Sequence, residues 1–196
     1  MLPGDLPLTL LCHPATPAPV VRTIEAGATR RADGTLSFRY CLRGDIVRLL
    51  IPTPDPAGRT DGLWEHTCFE AFVGLAGQTA YTEFNFSPSG QWATYAFADY
   101  RQPAAEPEVF APPQITARVF AGRIELEAVV PPGTLDLSAS EARLQIGLCA
   151  VVEARDLIDG RHSYWALRHA ADRPDFHDRR GFVLELAAPR RTPGGD

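Results

Sequence analysis

The sequence predicts an all-β fold, an antiparallel two-sheet sandwich of about ten or more short strands with little helix. Three observations predict it. Apolar residues recur at every second position along most of the chain. These runs are short and punctuated by 18 prolines and 16 glycines. Helical periodicity, which the crossovers of a parallel sheet would need, is nearly absent.

Taken in order, strand-like runs occupy roughly 19–26, 36–42, 46–51, 66–74, 79–87, 91–97, 115–119, 124–130, 142–152 and 181–187. Leu36, Phe38, Tyr40 and Leu42 alternate with Ser37, Arg39 and Cys41. Ile115, Ala117 and Val119 alternate with Thr116 and Arg118, and Ile124, Leu126, Ala128 and Val130 with Glu125 and Glu127. From Ala142 through Leu144, Ile146, Leu148 and Ala150 to Val152, one face stays apolar. Each such face is the half of a pleated strand that turns to a core. Three connections, 52–63, 98–113 and 154–180, read as irregular. At 196 residues and 21.4 kDa the chain is the size of one domain. We read it as a single domain over 1–188 with a frayed tail at 189–196.

Composition removes much chemistry. All 19 basic residues are arginine against 24 acids, a formal charge of −5. Without a basic block, binding to nucleic acid or to an anionic membrane through charge is not expected. Without lysine there is no Schiff-base chemistry and no P-loop. No run approaches the roughly 20 apolar residues of a membrane span. The N-terminal apolar run is short and broken by Pro7, unlike a secretory signal. Cys12, Cys41, Cys68 and Cys149 lie far apart and read as reduced thiols of a cytoplasmic protein.

The most informative stretch runs from Trp64 to Arg101, WEHTCFEAFVGLAGQTAYTEFNFSPSGQWATYAFADYR. A hairpin tip at Ala76-Gly77 and a four-residue turn at Ser87-Pro88-Ser89-Gly90 predict a register in which Phe69 faces Phe84 and Phe84 faces Ala93. Phe69, Phe84, Phe86, Ala93, Tyr95 and Phe97 then form a core face. The opposite face carries Cys68, Glu70 and Phe72, then Tyr81, Glu83 and Asn85, then Trp92 and Thr94. Glu70 falls opposite Glu83, with Asn85 between Cys68 and Trp92. Facing carboxylates repel unless an arginine, a shared proton, a metal or a donor-rich ligand compensates. A tryptophan beside them complements a sugar or another flat ligand with an apolar side. The plainer alternative is a solvated sheet face. Asn85-Phe86-Ser87 matches a glycosylation sequon, but its place inside a strand makes chance the better explanation.

These residues resemble the DOMON-like superfamily, particularly its bacterial stand-alone members and the sugar-binding modules appended to xylanases. The match rests on Trp64 followed six residues later by Glu70 in a Glu-x-Phe strand, then Tyr81-x-x-Phe84 and the Ser87-Pro88-x-Gly90 turn. It extends to Ser163-Tyr164-Trp165-Ala166-Leu167, His169 and Pro174-Asp175-Phe176-His177, spanning about 64–177. The resemblance implies an immunoglobulin-like sandwich with a pocket on one sheet for a carbohydrate or haem. In the xylanase-type modules two tryptophans clamp a sugar while an acid takes its hydroxyls. Trp64 and Glu70 match the first tryptophan and that acid, Trp165 is the candidate second tryptophan, and His162 stands where the sugar binders carry an amide. Haem-binding relatives use a methionine and a histidine, and the only methionine here is Met1.

Three functions follow. The first is a non-catalytic module binding a small molecule, a carbohydrate or sugar-like ligand, through Trp64, Glu70, Glu83, Asn85, Trp92, His162 and Trp165, with no cofactor. The second is a glycoside hydrolase using Glu70 and Glu83 as acid and base. The third is a metal or haem protein, with His169, Asp175 and His177 of the late loop as candidate metal ligands, although the spacing of these residues is no recognised signature.

Overall fold

A computed structural model describes residues 7–105, 110–135, 143–155 and 162–187; the tail at 189–196 lies outside them. Twelve strands run through these residues: β1 Leu8–Cys12, β2 Val21–Arg30, β3 Leu36–Gly44, β4 Cys68–Leu75, β5 Tyr81–Phe86, β6 Trp92–Asp99, β7 Gln102–Pro103, β8 Gln114–Phe120, β9 Arg123–Val130, β10 Leu144–Glu153, β11 His162–Ala166 and β12 Leu184–Leu186. All pairings are antiparallel, in the order β7-β6-β5-β4-β10-β11-β1-β2-β3-β9-β8, with β12 beside β10. The path folds over at β1, whose Leu8–Leu10 pair with β2 while Leu11 and Cys12 pair with β11. One layer is therefore β1-β2-β3-β9-β8 and the other β7-β6-β5-β4-β10-β11. The only helices among the described residues are single 3-10 turns at Ile46–Arg48, Leu63–Glu65 and Arg179–Gly181.

The core lies where the two inward faces meet. Leu36, Phe38, Tyr40 and Leu42 of β3 and Ile124, Leu126, Ala128 and Val130 of β9 are buried, as the alternation predicts. Facing them are Phe69 and Ala71, Phe84 and Phe86, and the even positions of β10 from Leu144 to Val152. Phe38 packs against Phe84 and Phe86 at centroid distances of 6.1 and 5.7 Å, and Tyr40 against Phe69 at 5.0 Å. The Tyr40 hydroxyl crosses the core and donates to the Glu70 carbonyl at 2.7 Å.

Elements the alternation misplaces have identifiable causes. The run at 46–51 is a 3-10 turn followed by a single bridge from Leu49 to Ala154. The long connection 154–180 contains β11, too short and mixed in composition to stand out. β1 was hidden by Pro7 at its edge.

The segment 167–183 then crosses the outer face of the second layer. Phe176 and Phe182 pack on Phe72 and Tyr81, so every residue of β5, and of β4 up to Gly74, is buried on whichever side it points. Arg179 anchors the segment. Its Nη2 donates to the carbonyls of Leu75 and Gln78 and to Gln145 Oε1 at 3.0–3.2 Å. The guanidinium lies directly over Gly74, where a Cβ would come within 1.7 Å of Nη1. Gly74→Ala is therefore expected to displace Arg179 and lose charged hydrogen bonds, costing roughly 2 kcal/mol. Denaturant unfolding would measure it, and Gly27→Ala, at an open strand position of β2, would control for general glycine effects.

Candidate functional site

Beneath that crossing segment the outer face of β4–β6 and β10–β11 holds a cavity of about 400 Å3. Glu70 and Phe72 of β4, Glu83 of β5, Tyr95 and Phe97 of β6, Val151 of β10 and Tyr164 of β11 line it. Trp64 and Arg101 reach in from the two connections, and Pro174, Phe176 and His177 form its lid.

The register that builds it differs from the one expected. In the first hairpin Phe69 pairs with Phe86, Glu70 with Asn85 and Phe72 with Glu83, a shift of two residues. An even shift keeps Glu70, Glu83 and Asn85 on one face but sets the two acids diagonally. In the second hairpin Phe86 pairs with Trp92, Asn85 with Ala93 and Glu83 with Tyr95, a shift of one. The loop has three residues, not four: Ser87 donates its amide to the Gln91 carbonyl, and Gly90 takes a φ of 95° open to glycine. A one-residue slip turns a whole strand over. Tyr95 and Phe97 therefore occupy the outer face assigned to Trp92 and Thr94, and Trp92 is buried beside Phe86 on the inner side.

Trp165 also lies away from the cavity. It faces the sandwich core, with its indole N–H donating to Ser163 Oγ at 3.0 Å, and its neighbour Tyr164 faces the cavity instead. His162 stands at the rim and bonds through Nε2 to the Glu65 carbonyl at 2.8 Å, which tethers the turn bearing Trp64. Trp64 itself is 44 % exposed and meets the Tyr95 ring edge-on at 5.8 Å. Tyr95 is fixed by its hydroxyl, which donates to Asp61 Oδ1 at 2.7 Å, and by Arg59 over its ring. Asn85 is fully buried, so the sequon offers no acceptor to a glycan.

The candidate metal ligands do not converge. His169 bonds to the Leu11 carbonyl beside β1 and packs against His13. The Asp175 carboxylate accepts from Tyr100 OH at 2.6 Å and Arg101 Nη2 at 3.0 Å. Among the described residues no three His, Cys, Asp or Glu side chains are grouped to hold a metal ion. The four cysteines are free thiols.

His177, by contrast, lines the cavity from its lid. Arg101, in a left-handed conformation at φ 52°, donates its amide to Tyr81 OH at 3.1 Å. The Tyr81 hydroxyl is in turn hydrogen-bonded to His177 Nδ1 at 2.8 Å. The other ring nitrogen, Nε2, faces Glu83 Oε2 at 3.7 Å. Asn85 Nδ2 donates to the other Glu83 oxygen at 2.7 Å, and Cys68 Sγ lies 3.7 Å from Asn85 Oδ1. Glu70, only 3 % exposed, has no partner at Oε1 among the described residues.

Burial dominates the electrostatics. It pushes the Glu70 carboxyl well above its ordinary range, and the like charge of Glu83 adds to this. Burial raises Glu83 too, against the opposing pull of Asn85 and Arg101. Burial, helped by Arg101 and opposed by Asp175, lowers His177 to about 4. A second concavity of about 440 Å3 lies over the outer face of β2, β3 and β9. Its acids Glu25, Glu125 and Glu127 are each ion-paired with an arginine, as on a solvated sheet face.

No protein-family model matches the chain, and no curated protein does. Among solved structures the chain is similar to the crystal structure of a protein from Bacteroides uniformis ATCC 8492 to which carbohydrate binding has been provisionally ascribed. The TM-score is 0.61 at 16% identity, covering 92% of this chain and 84% of that one. The shared property at that identity is the fold.

These shifts fix the sign of the pH dependence. An acid whose folded pKa is raised costs stability as pH climbs above its unfolded value near 4.5. A histidine lowered to about 4 from 6.5 does the reverse, contributing stability that is full above 6.5 and lost as pH falls to 4. The two oppose each other between 4.5 and 6.5. Chemical unfolding from pH 4 to 8 should show Glu70→Gln more stable than wild type at pH 7 and indistinguishable near pH 4. His177→Gln should lose the rising limb between 4 and 6.5.

Proposed function

We propose that this chain is a non-catalytic binding module for a carbohydrate or sugar-like small molecule, and that it belongs with the DOMON-like sandwiches its motifs resemble. The observation that carries the proposal is a pair of buried acids at the base of a cavity walled by Trp64, Tyr95, Phe97, Tyr164 and Phe176. Aromatic rings suit the apolar face of a pyranose, and acceptors without donors suit its hydroxyls. The cavity volume of about 400 Å3 falls in the range of small-ligand sites. The Bacteroides uniformis structure with the same fold supports the class of ligand.

Glycoside hydrolysis is the weaker reading, because it needs one carboxylate ionised as nucleophile or base while the other stays protonated. Here burial raises both, and no donor supports a charge on Glu70 Oε1. The clamp in this reading is Trp64 with Tyr95 and Phe97, replacing the Trp64 and Trp165 pair that the motif implies.

A thermal-shift and calorimetric screen of mono- and disaccharides tests it. A ligand at 100 times its Kd adds about 2.7 kcal/mol of stability. Trp64→Ala, at an exposed position, should weaken the best ligand at least tenfold with the unliganded melting temperature nearly unchanged. A complete panel without one stabilising sugar would overturn the reading.

A further inference from the structure

Resting on the carbohydrate reading, and narrowing it, we propose that the ligand is an amino sugar whose protonated amine sits between Glu70 and Glu83. The argument is an inventory of donors and charges around the two acids.

Glu70 Oε1 is buried with no donor. Glu83 Oε1 is satisfied by Asn85, but its Oε2 has only His177 Nε2 at 3.7 Å, beyond hydrogen-bonding distance. Each acid thus offers the cavity an oxygen in want of a donor. Being diagonal neighbours across β4 and β5, they stand about 7–8 Å apart at their Cα atoms, close enough for one small group to face both.

Among the described residues the cavity's own cation is engaged elsewhere. Arg101 is the one arginine on the wall, and its guanidinium is engaged by Asp175 at 3.0 Å. His177 is neutral, because burial and Arg101 both disfavour its charged form. The thiols of Cys68 and Cys149 and the phenols of Tyr81 and Tyr95 are raised by burial and stay protonated. Among the described residues the two acids thus meet no cation beyond the pull of Arg101 on Glu83, and burial holds both toward their protonated forms until a cation enters. A neutral hydroxyl brings one proton and no charge, whereas an ammonium brings three N–H donors and the missing charge. Around it stand Trp64, Phe72, Tyr95 and Phe97, and aromatic rings attract such a cation.

The experiment is calorimetry on the full chain at about pH 6.5, where an amine is protonated. Glucosamine, galactosamine and mannosamine are each compared with the parent hexose and the N-acetyl derivative, and methylammonium serves as a sugar-free control. At least one hexosamine should bind tenfold or more tighter than its hexose, with the N-acetyl form no better than the hexose. Glu70→Gln and Glu83→Gln should bring that ratio close to one. A hexose binding as well as its amine overturns the amino-sugar proposal and leaves the carbohydrate reading standing. An amine preference that survives both substitutions overturns the assigned seat. Response to methylammonium alone, or to nothing, overturns this proposal and the carbohydrate reading together. Should neither variant fold, the wild-type ratio between amine and hexose decides.

Discussion

Strands β4 and β5 are buried on both faces, and the rest of the molecule is arranged to make that tolerable. Their inner faces carry Phe69, Phe84 and Phe86 into the sandwich core, as in any two-layer fold. Their outer faces carry Phe72 and Tyr81, which would leave an apolar patch in water if segment 167–183 did not cross them. The cover is pinned at several points: Arg179 over Gly74, Asp175 held by Tyr100 and Arg101, and His177 by Tyr81. Without the cover Glu70 and Glu83 would be hydrated surface acids of no chemical interest. With it they become desolvated groups whose protons and partners matter.

The site's groups are held by elements of different stiffness. The acids project from central strands whose backbone is paired on both sides and, at Glu70, pinned across the core by Tyr40. Trp64 stands on a single 3-10 turn, tied down by the carbonyl bond to His162. Rigid acids beneath an adjustable ring are the ordinary arrangement of a small-molecule site, with polar groups setting orientation and the aromatic adapting to bulk.

Period-two alternation made β3, β9 and β10 readable to the residue, because each has one face in the core and one outside it. It also set Glu70, Glu83 and Asn85 on a common face, since an even register shift leaves faces unchanged. It could not distinguish a three-residue from a four-residue loop at Ser87–Gly90. That single residue exchanged Trp92 for Tyr95 and Phe97 on the cavity wall. Trp165 escapes the alternation for a related reason. Inside an apparent loop it had no parity, and once β11 is recognised its neighbour Tyr164 takes the outer face. Phe176 and His177 gave no periodic signal, because their positions depend on tertiary contacts with β4–β6.

The first strand belongs to both layers: Leu10 is paired with Ile24 and Leu11 with Ala166. The first of these partners lies close by in sequence, while the second is separated from β1 by most of the other strands. Closing the two layers thus requires a contact between strands far apart in sequence, the slow and entropically costly kind. Until that seam forms, the folding chain can build its local hairpins but cannot shield the aromatic residues between the layers, which leaves them open to aggregation.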